Sequence, residues 1–312
     1  MKILLLGANG QVGFELARSL APLGELHVAT RDGRKSDNLL VHHGAVDLAN
    51  PQTLGNALHE IAPNVVVNAA AYTAVDRAED EENLAERINH HALSVLGAWA
   101  KRTQALIVHY STDYVFDGHG ARPYREDDAT APLGAYGRSK LAGEIALREA
   151  GCDHLILRTA WVFAARGSNF VRTMLRLARE RDAVRVVDDQ RGAPTTARLI
   201  ADVTAQLLAR WLAADAKRRE HLNGTYHLSA AGECTWHEFA RWIFIFAHNA
   251  GLIDKQMQVA PIATSDYPTK AMRPAYSVLD CAKLRETFGI HLPLWQQGLD
   301  SVIAELASAA AR

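Results

Sequence analysis

The chain has 312 residues, of which 48% are hydrophobic and 22% charged, and this suits one large or two modest globular domains with a substantial core. The formal net charge of −1 excludes a whole-chain field that favours nucleic acid or an anionic membrane, so local arginines must meet any phosphate. Three widely spaced cysteines, Cys152, Cys234 and Cys281, argue against a disulfide framework or a structural zinc site. We therefore expect a protein of the reducing cytoplasm, without a signal peptide or a membrane span.

The first predicted strand, Lys2 to Leu6, leads into a turn with glycines at positions 7, 10 and 13, and a helical pattern follows from Phe14 to Leu23. Gly7 permits a tight turn, Gly10 lets the backbone approach a pyrophosphate, and Gly13 lets the helix pack closely. The helix N-terminus also offers free N–H groups to phosphate. The stretch therefore predicts a dinucleotide site.

The second predicted strand, Glu25 to Thr30, ends beside basic residues. A cofactor with an unphosphorylated ribose usually meets an acid at this place. Here Arg31 follows instead, with Arg34 and Lys35 shortly after it. Because Arg31 can pair with a 2′-phosphate, we expect NADPH and keep NADH as the alternative. A solvated basic loop explains the same residues without any cofactor contact.

Two more strand ends belong to the predicted crevice. The third strand, Leu39 to Val46, ends at Asp47, which can lie beside an adenine or can cap the helix predicted from Pro51 to Ile61. The fourth strand, Asn64 to Asn68, leads into three alanines, which let a cofactor lie against the backbone or merely permit close packing. A helix is predicted next, from Glu82 to Arg102.

The candidate catalytic groups follow the fifth strand, Ala105 to Tyr110. Thr112 lies just past this strand, and a helical pattern from Tyr136 to Ala150 places Lys140 one turn from Tyr136. An ammonium beside the phenol is expected to lower its pKa, so that Tyr136 exchanges a proton with a carbonyl or alcohol oxygen. Thr112 can bond the same oxygen. A tyrosine and a lysine at this spacing are also common on solvated helices.

The second half continues the alternation of strands and helices. Three strands and two helices are predicted: His154 to Thr159, Val184 to Val187, Gly224 to Ser229, Phe170 to Arg181, and Thr195 to Ala213. The alternation indicates an α/β fold, a Rossmann-like, doubly wound parallel sheet. From Thr235, a capping box with Glu238 opens a helix that ends at His248. We expect a smaller C-terminal substrate-binding lobe of residues 165–183 and 231–312, beside a cofactor domain of residues 1–164 and 184–230.

The ordered motifs resemble those of the extended short-chain dehydrogenase/reductases over essentially the whole chain. The matching stretches are Gly7-x-x-Gly10-x-x-Gly13, Asn68-Ala-Ala-Ala71, Tyr110-Ser-Thr-Asp-Tyr-Val-Phe116, Tyr136-x-x-x-Lys140, Arg158-Thr-Ala-Trp-Val-Phe163, Asn169-Phe170, Asp189-Gln-Arg-Gly-Ala-Pro-Thr195 and Tyr267-Pro-x-x-Ala-x-Arg273-Pro274. No single motif decides the resemblance; their order along the chain does.

This resemblance implies roles for individual residues. It places the cofactor against Gly7, Gly10, Gln11, Val12, Gly13, Thr30, Arg31, Asp47, Leu48, Ala69, Ala70, Ala71, Tyr72, Thr73, Tyr110, Tyr136 and Lys140. It makes Thr112, Tyr136 and Lys140 the catalytic set. It places the substrate against Thr112, Asp113, Trp161, Asn169 and Arg273, the last held in an extended loop by Pro274. Trp161 is expected to stack on the substrate and Arg273 to meet a diphosphate.

The implied reaction is the NADPH-dependent reduction of the C4 ketone of a dTDP-linked 4-keto-6-deoxy sugar to dTDP-L-rhamnose. Two alternatives remain open: a reductase that gives the 6-deoxy-L-talose configuration, and a non-catalytic NADP-binding regulatory subunit. The resemblance also implies a homodimer, which magnesium links in some family members. Glu15 is a candidate ligand, but Arg198 stands where related sequences carry an acid, so we expect no metal.

Overall fold

Seven parallel strands form the central sheet of the computed structural model, which describes residues 1–33 and 42–310, with backbone alone for His42 and His43. The strand order is β11-β6-β5-β4-β1-β2-β3. The strands are β1 Lys2–Leu6, β2 Glu25–Thr30, β3 His42–Ala45, β4 Val65–Asn68, β5 Leu106–Thr112, β6 His154–Thr159, β7 Val162–Phe163, β8 Ala183–Val187, β9 Arg191–Gly192, β10 Thr195–Thr196, β11 Gly224–His227, β12 Cys234–Thr235 and β13 Gln258–Ile262. The predicted Arg34, Lys35 and first part of the third strand lie outside the described residues.

Helices follow most of these strands. They are α1 Gln11–Leu20, α2 Pro51–Ile61, α3 Val75–Ala78, α4 Glu82–Glu86, α5 Ala92–Thr103, α6 Ala135–Ala150, α7 Phe170–Glu180, α8 Ala197–Ala213, α9 Ala216–Leu222, α10 Trp236–Asn249, α11 Ala282–Phe288 and α12 Trp295–Ala310. Short 3₁₀ turns span Ala21–Leu23, Asp113–Val115 and Thr264–Asp266. In the part of the chain that the structure describes, no helix is both long and apolar enough to cross a bilayer.

Both faces of the sheet are covered, because alternate residues of each buried strand point to opposite sides. On one face, Leu5 of β1 and Val108 of β5 pack in the cluster that includes α1 and α8. On the other face, Leu4 and Ile107 pack in the cluster that includes α2, α5 and Leu147 of α6. The doubly wound α/β prediction is therefore confirmed.

The strand order reverses between β1 and β4. The chain moves from β1 toward β3 at one edge and then returns through β4 toward β11 at the other. In open α/β sheets a ligand binds at such a switch point, beyond the carboxyl ends of the strands. The glycine turn after β1 and the alanines after β4 therefore face the same crevice.

The helix predicted from Glu82 to Arg102 contains an irregular segment. A π-helical stretch, Arg87–His91, separates α4 from α5. A Cβ added at Gly143 of α6 would lie 2.1 Å from the Asn89 carbonyl oxygen. The π segment therefore brings the Asn89 backbone against α6, where only glycine leaves enough room.

A third apolar cluster forms the core of the C-terminal part. It contains Val171 of α7, Phe239 of α10 and Leu299 of α12. The predicted capping box of Thr235 and Glu238 is present at the start of α10. The strand β8, which we placed with the cofactor domain, instead pairs with β13 and lies outside the seven-stranded sheet. Pairing with a late strand cannot be read from the local apolar pattern.

Candidate active site

The glycine turn after β1 packs closely against the segment that follows β4. Gly7 has φ +78°, and a Cβ there would lie 2.7 Å from the Ala70 nitrogen, so both conformation and space favour glycine. A Cβ at Gly13 would lie 2.1 Å from the Gly7 oxygen, which explains the close approach of α1 to the turn. A Cβ at Gly10 would meet only the Gly7 oxygen within 4 Å, at 3.2 Å. The space beside Gly10 is therefore almost free of protein atoms.

The segment after β4 is held by two buried asparagines. Asn68 Oδ1 accepts a hydrogen bond from the Ala70 N–H at 3.2 Å. Asn89 Oδ1 accepts from the Tyr72 N–H at 2.9 Å, while Asn89 Nδ2 donates to the Tyr72 oxygen. The Tyr72 hydroxyl donates to Glu81 at 2.7 Å, and Thr73 is exposed. The backbone of Ala69, Ala70 and Ala71 is consequently preorganised along the crevice.

The adenosine side is built from the ends of β2 and β3. Thr30 and Leu48 are buried, and Arg31 is exposed at the end of β2. Asp47 Oδ1 accepts from the Ala49 N–H, whereas Asn50 caps α2 by accepting from the Gln52 N–H. The alternative that Asp47 caps the helix is therefore wrong.

Thr112 and Tyr136 lie together at the end of β5. The Thr112 hydroxyl donates to Asp113 Oδ1 at 3.0 Å and accepts from the Tyr114 N–H. Burial raises the pKa of Tyr136 to about 12, and the hydrogen bond with Thr112 only partly opposes this. The expected lowering of this pKa by Lys140 is thus wrong in direction, because desolvation of the phenolate dominates.

Lys140 is buried against β5. Its amine donates to the Tyr110 oxygen at 2.6 Å and lies 3.1 Å from His109 Nε2. Burial lowers the pKa of Lys140 to about 7, although Glu144 on the next turn of α6 raises it. The Tyr110 ring is a core group whose hydroxyl bonds Thr204 at 2.9 Å, so only its backbone faces Lys140.

Asp113 is also buried, and it lies directly beside Thr112. Burial raises the pKa of its carboxyl to about 6, against the hydrogen bonds from Ser277 and Thr112, which lower it. A carboxyl of this kind changes its charge close to neutral pH. It is therefore the most pH-sensitive of the predicted substrate contacts for which a shift is resolved.

Trp161 and Asn169 mainly make contacts within the protein. Trp161 has φ +46°, and its ring stacks on Trp236 at 3.5 Å, with the Gly192 backbone against the indole. One ring face is therefore not free for a substrate. Asn169 caps α7, and its Nδ2 donates to Gln11 Oε1 at 2.7 Å. This contact joins Gln11, at the start of α1 beside the glycine turn, to the start of α7. The roles of Trp161 and Asn169 toward substrate stay predictions.

The predicted magnesium ligand does not fit a metal ion. Arg198 Nε lies 3.4 Å from Glu15 Oε2, and Arg198 Nη2 lies 2.8 Å from Glu305 Oε2. Arg18 approaches the same Glu15 carboxylate at 3.6 Å. The positive charge that a divalent ion would bring is supplied here by guanidinium groups. The groups around Glu15 therefore do not fit a divalent cation.

Sequence reasoning gave no role to Asn68, Asn89 and His109, nor to Asp76, which forms an ion pair with Arg273. Asn68 and His109 carried a signal, because each is a polar side chain inside or ending an apolar strand run. A buried polar group there needs a partner. The partners themselves, however, come from elements that are distant in the chain.

Comparison with known proteins decides the family. A family model described as the RmlD substrate binding domain matches residues 1–308. The dTDP-4-dehydrorhamnose reductase of Burkholderia thailandensis is 49% identical over 310 residues, which is 99% of this chain and 100% of the relative. The chain belongs to the dTDP-4-dehydrorhamnose reductase family.

Other members of this family match over the same length. The dTDP-4-dehydrorhamnose reductase of Escherichia coli K12 is 44% identical, with 98% of each chain covered. The crystal structure of the Bacillus anthracis dTDP-4-dehydrorhamnose reductase, in complex with NADP, has a TM-score of 0.83 and 32% identity, and the match covers 97% of this chain and 99% of that one. The glycine turn, Thr112, Tyr136 and Lys140 of this chain therefore lie on a dTDP-4-dehydrorhamnose reductase fold.

Proposed function

We propose that this chain uses NADPH to reduce the C4 ketone of dTDP-4-dehydro-β-L-rhamnose, giving dTDP-L-rhamnose. One observation carries the proposal beyond family membership. Thr112, the last residue of β5, hydrogen-bonds with Tyr136, and the Lys140 amine donates to the Tyr110 oxygen of the same strand. This end of β5 lies beside the crevice that the Gly7 turn and the β4 alanines form. A carbonyl bound there meets a proton donor and a cofactor site at once.

NADPH, when bound, supplies the hydride that reduces C4. The residues of this chain then manage the proton. With a pKa of about 12, Tyr136 carries its proton at neutral pH. The alkoxide that develops at C4 is more basic than the Tyr136 phenolate, because an aliphatic alcohol holds its proton more tightly than a phenol does. Proton transfer from the Tyr136 hydroxyl to this oxygen is therefore favourable without a lowered pKa.

Thr112 and Lys140 support this transfer. The Thr112 hydroxyl is held by Asp113, which places it to bond the carbonyl oxygen. As an ammonium, Lys140 would stabilise the phenolate that Tyr136 becomes, and the family resemblance gives it the further role of anchoring the cofactor ribose. Asp113, Trp161, Asn169 and Arg273 belong to the proposed substrate side. The division into a cofactor domain and a substrate lobe, a homodimeric assembly and a cytoplasmic location are parts of the same proposal.

The test is turnover of a defined substrate. Purified protein is given NADPH and enzymatically prepared dTDP-4-dehydro-β-L-rhamnose, and the product is identified by proton NMR. We expect oxidation of one NADPH per sugar and the rhamnose configuration at C4. The talose configuration would support the alternative reductase, and no NADPH oxidation would support a binding subunit.

A further inference from the structure

A groove lies between α7, the turn after α10 and the last turns of α12, and we call it the α7 groove. Its volume is about 440 Å³, which is within the range of sites that hold one small ligand. Three arginines and three leucines dominate its lining: Arg172, Arg176, Arg179, Leu175, Leu252 and Leu306. The groove therefore combines positive charge with apolar surface.

The arginines form a row on one face of α7. Arg172, Arg176 and Arg179 lie at positions i, i+4 and i+7 of this helix, so the row is about 10 Å long. Val171 and Met174, on the opposite face, are buried in the third apolar cluster. The core therefore fixes the helix that carries the row, and the guanidinium groups extend from a rigid element.

The charge of this row is only partly neutralised by the protein. Arg176 Nη1 lies 2.9 and 3.0 Å from the two carboxylate oxygens of Glu180. Within residues 1–33 and 42–310, the guanidinium groups of Arg172 and Arg179 make neither a hydrogen bond nor an ion pair. Glu305 precedes Leu306 on α12, but its carboxylate pairs with Arg198 at 2.8 Å. An anion that enters the groove thus meets cations without a carboxylate partner.

The start of α7 closes one end of the groove. Asn169 caps the helix, and its Oδ1 accepts from the Arg172 N–H at 3.1 Å. The first N–H groups of a helix have no partner within it, and the helix dipole places partial positive charge there. This end therefore adds to the attraction that the arginines exert on phosphate.

Leucines give the groove its apolar part. Leu175 belongs to the third apolar cluster, and Leu252 and Leu306 pack against that cluster while remaining half-buried. An inorganic anion would leave these side chains in contact with water. A ligand with phosphates at one end and a flat ring system at the other would meet the arginines and cover the leucines together.

We propose that the α7 groove is a second nucleotide site, which binds a nucleoside triphosphate. The phosphates lie on the three arginines, and the base packs against Leu252 and Leu306. The groove is distinct from the cofactor crevice, because its described lining contains neither a glycine of the turn after β1 nor Thr112, Tyr136 or Lys140. This inference goes beyond the proposed reduction and does not depend on turnover.

Calorimetric titration of ATP tests the site. The protein is first saturated with NADP⁺ and dTDP, which occupy the cofactor and substrate sides and exclude ATP from both. We expect one ATP to bind per chain. Arg179→Ala should weaken this affinity at least about tenfold, because a charged hydrogen bond to phosphate is lost.

Arg181→Ala is the matched control. Arg181 is exposed at the end of the same helix but does not line the groove, so its loss should leave ATP affinity unchanged. Because the side chains of Arg179 and Arg181 are both exposed, both variants should melt with the wild type. Absence of ATP binding to the wild type, or an equal loss in the two variants, would overturn the proposal.

Pyrophosphate separates the contribution of the arginines from that of the leucines. It should bind at least about tenfold more weakly than ATP, because it buries no apolar surface. Leu306→Ala should weaken ATP but leave pyrophosphate affinity unchanged. Pyrophosphate that binds as tightly as ATP would refute a nucleotide site and identify a site for phosphate alone.

A crystal structure with ATP and NADP⁺ locates the nucleotide. We expect the triphosphate within hydrogen-bond distance of Arg172 and Arg179, with the base against Leu252 and Leu306. ATP found only beside Tyr136, or only between neighbouring molecules of the crystal, would contradict the assignment of the α7 groove.

Discussion

Arg273 and Asp76 form a two-point ion pair, with Nη1–Oδ1 at 3.1 Å and Nη2–Oδ2 at 2.8 Å. Asp76 lies on α3, after β4, and Arg273 lies in the loop before α11, so the pair joins two segments that are distant in the chain. The hydrogen bond with Arg273 lowers the pKa of Asp76. The cation that we expected to meet a diphosphate is therefore already paired, and a diphosphate must compete with this carboxylate.

Mutation can distinguish the role of Arg273 from that of Asp76. Arg273→Ala should raise the substrate KM at least tenfold, on the order of 1.5–3 kcal/mol for a charged hydrogen bond, and leave NADPH affinity nearly unchanged. Asp76→Asn should free the guanidinium, so KM should stay constant or fall. Steady-state kinetics and calorimetric titration measure both. Equal increases of KM in the two variants would mean that the pair only holds the loop.

Tyr136→Phe removes the proton donor but keeps the ring. Turnover should fall by ~10²–10⁴, the usual contribution of general acid catalysis, while NADPH affinity changes little. Tyr114→Phe is the comparison, because the Tyr114 ring lies edge-on to Tyr136 at 5.7 Å and should matter far less. Turnover of Tyr136→Phe within about threefold of the wild type would remove this residue from the proposed chemistry.

Arg31→Ala tests the cofactor preference. Arg31 is exposed at the end of β2, where it can reach a 2′-phosphate. The variant should lose affinity for NADPH by at least about tenfold more than for NADH, since only NADPH loses a charged hydrogen bond. Direct titration with each cofactor measures this, and the exposed Arg210→Ala serves as the control. Equal losses for both cofactors would identify Arg31 as a solvated loop residue.

Asp113 should make stability depend on pH. Burial raises its pKa from the ordinary value of 3.8 to about 6, so the folded state holds the proton more tightly than the unfolded chain. This contribution is fully present below 3.8 and lost as pH rises through about 6. Asp113→Asn should therefore raise the free energy of unfolding at pH 8 by on the order of 2–3 kcal/mol, and much less at acid pH.

Urea unfolding at both pH values measures this effect. The exposed Asp127→Asn is the control and should show no such gain at pH 8. If Asp113→Asn is less stable than the wild type at pH 8, the carboxylate is stabilised by its partners and burial is not the dominant influence.

Arg198→Glu should create a site for a divalent cation. The new carboxylate would face Glu15 and Glu305, whose charges Arg198 now balances. We expect the melting temperature of the variant to rise with added Mg²⁺, and that of the wild type to be unaffected by Mg²⁺ or by EDTA. Differential scanning fluorimetry measures these melting temperatures. A wild-type melting temperature that falls in EDTA would contradict the inference that guanidinium groups take the place of a metal ion beside Glu15.

Local patterns in the sequence determined much of the architecture. The apolar runs located the strands of the central sheet, and the glycine spacing located the turn after β1. The four-residue spacing placed Tyr136 and Lys140 on one helix face. These predictions succeeded because strand burial, turn conformation and helical periodicity depend on residues close together in the chain.

Only the tertiary structure decided which distant strands and side chains pair and which ionisable groups carry a charge. It paired β8 with β13, Arg273 with Asp76, and Lys140 with His109. It also raised the pKa of Tyr136, where spacing alone had predicted a lower one. Each of these outcomes depends on contacts between residues far apart in the chain and on the loss of water around them. Desolvation is a property of the packed molecule, and no local pattern carries it.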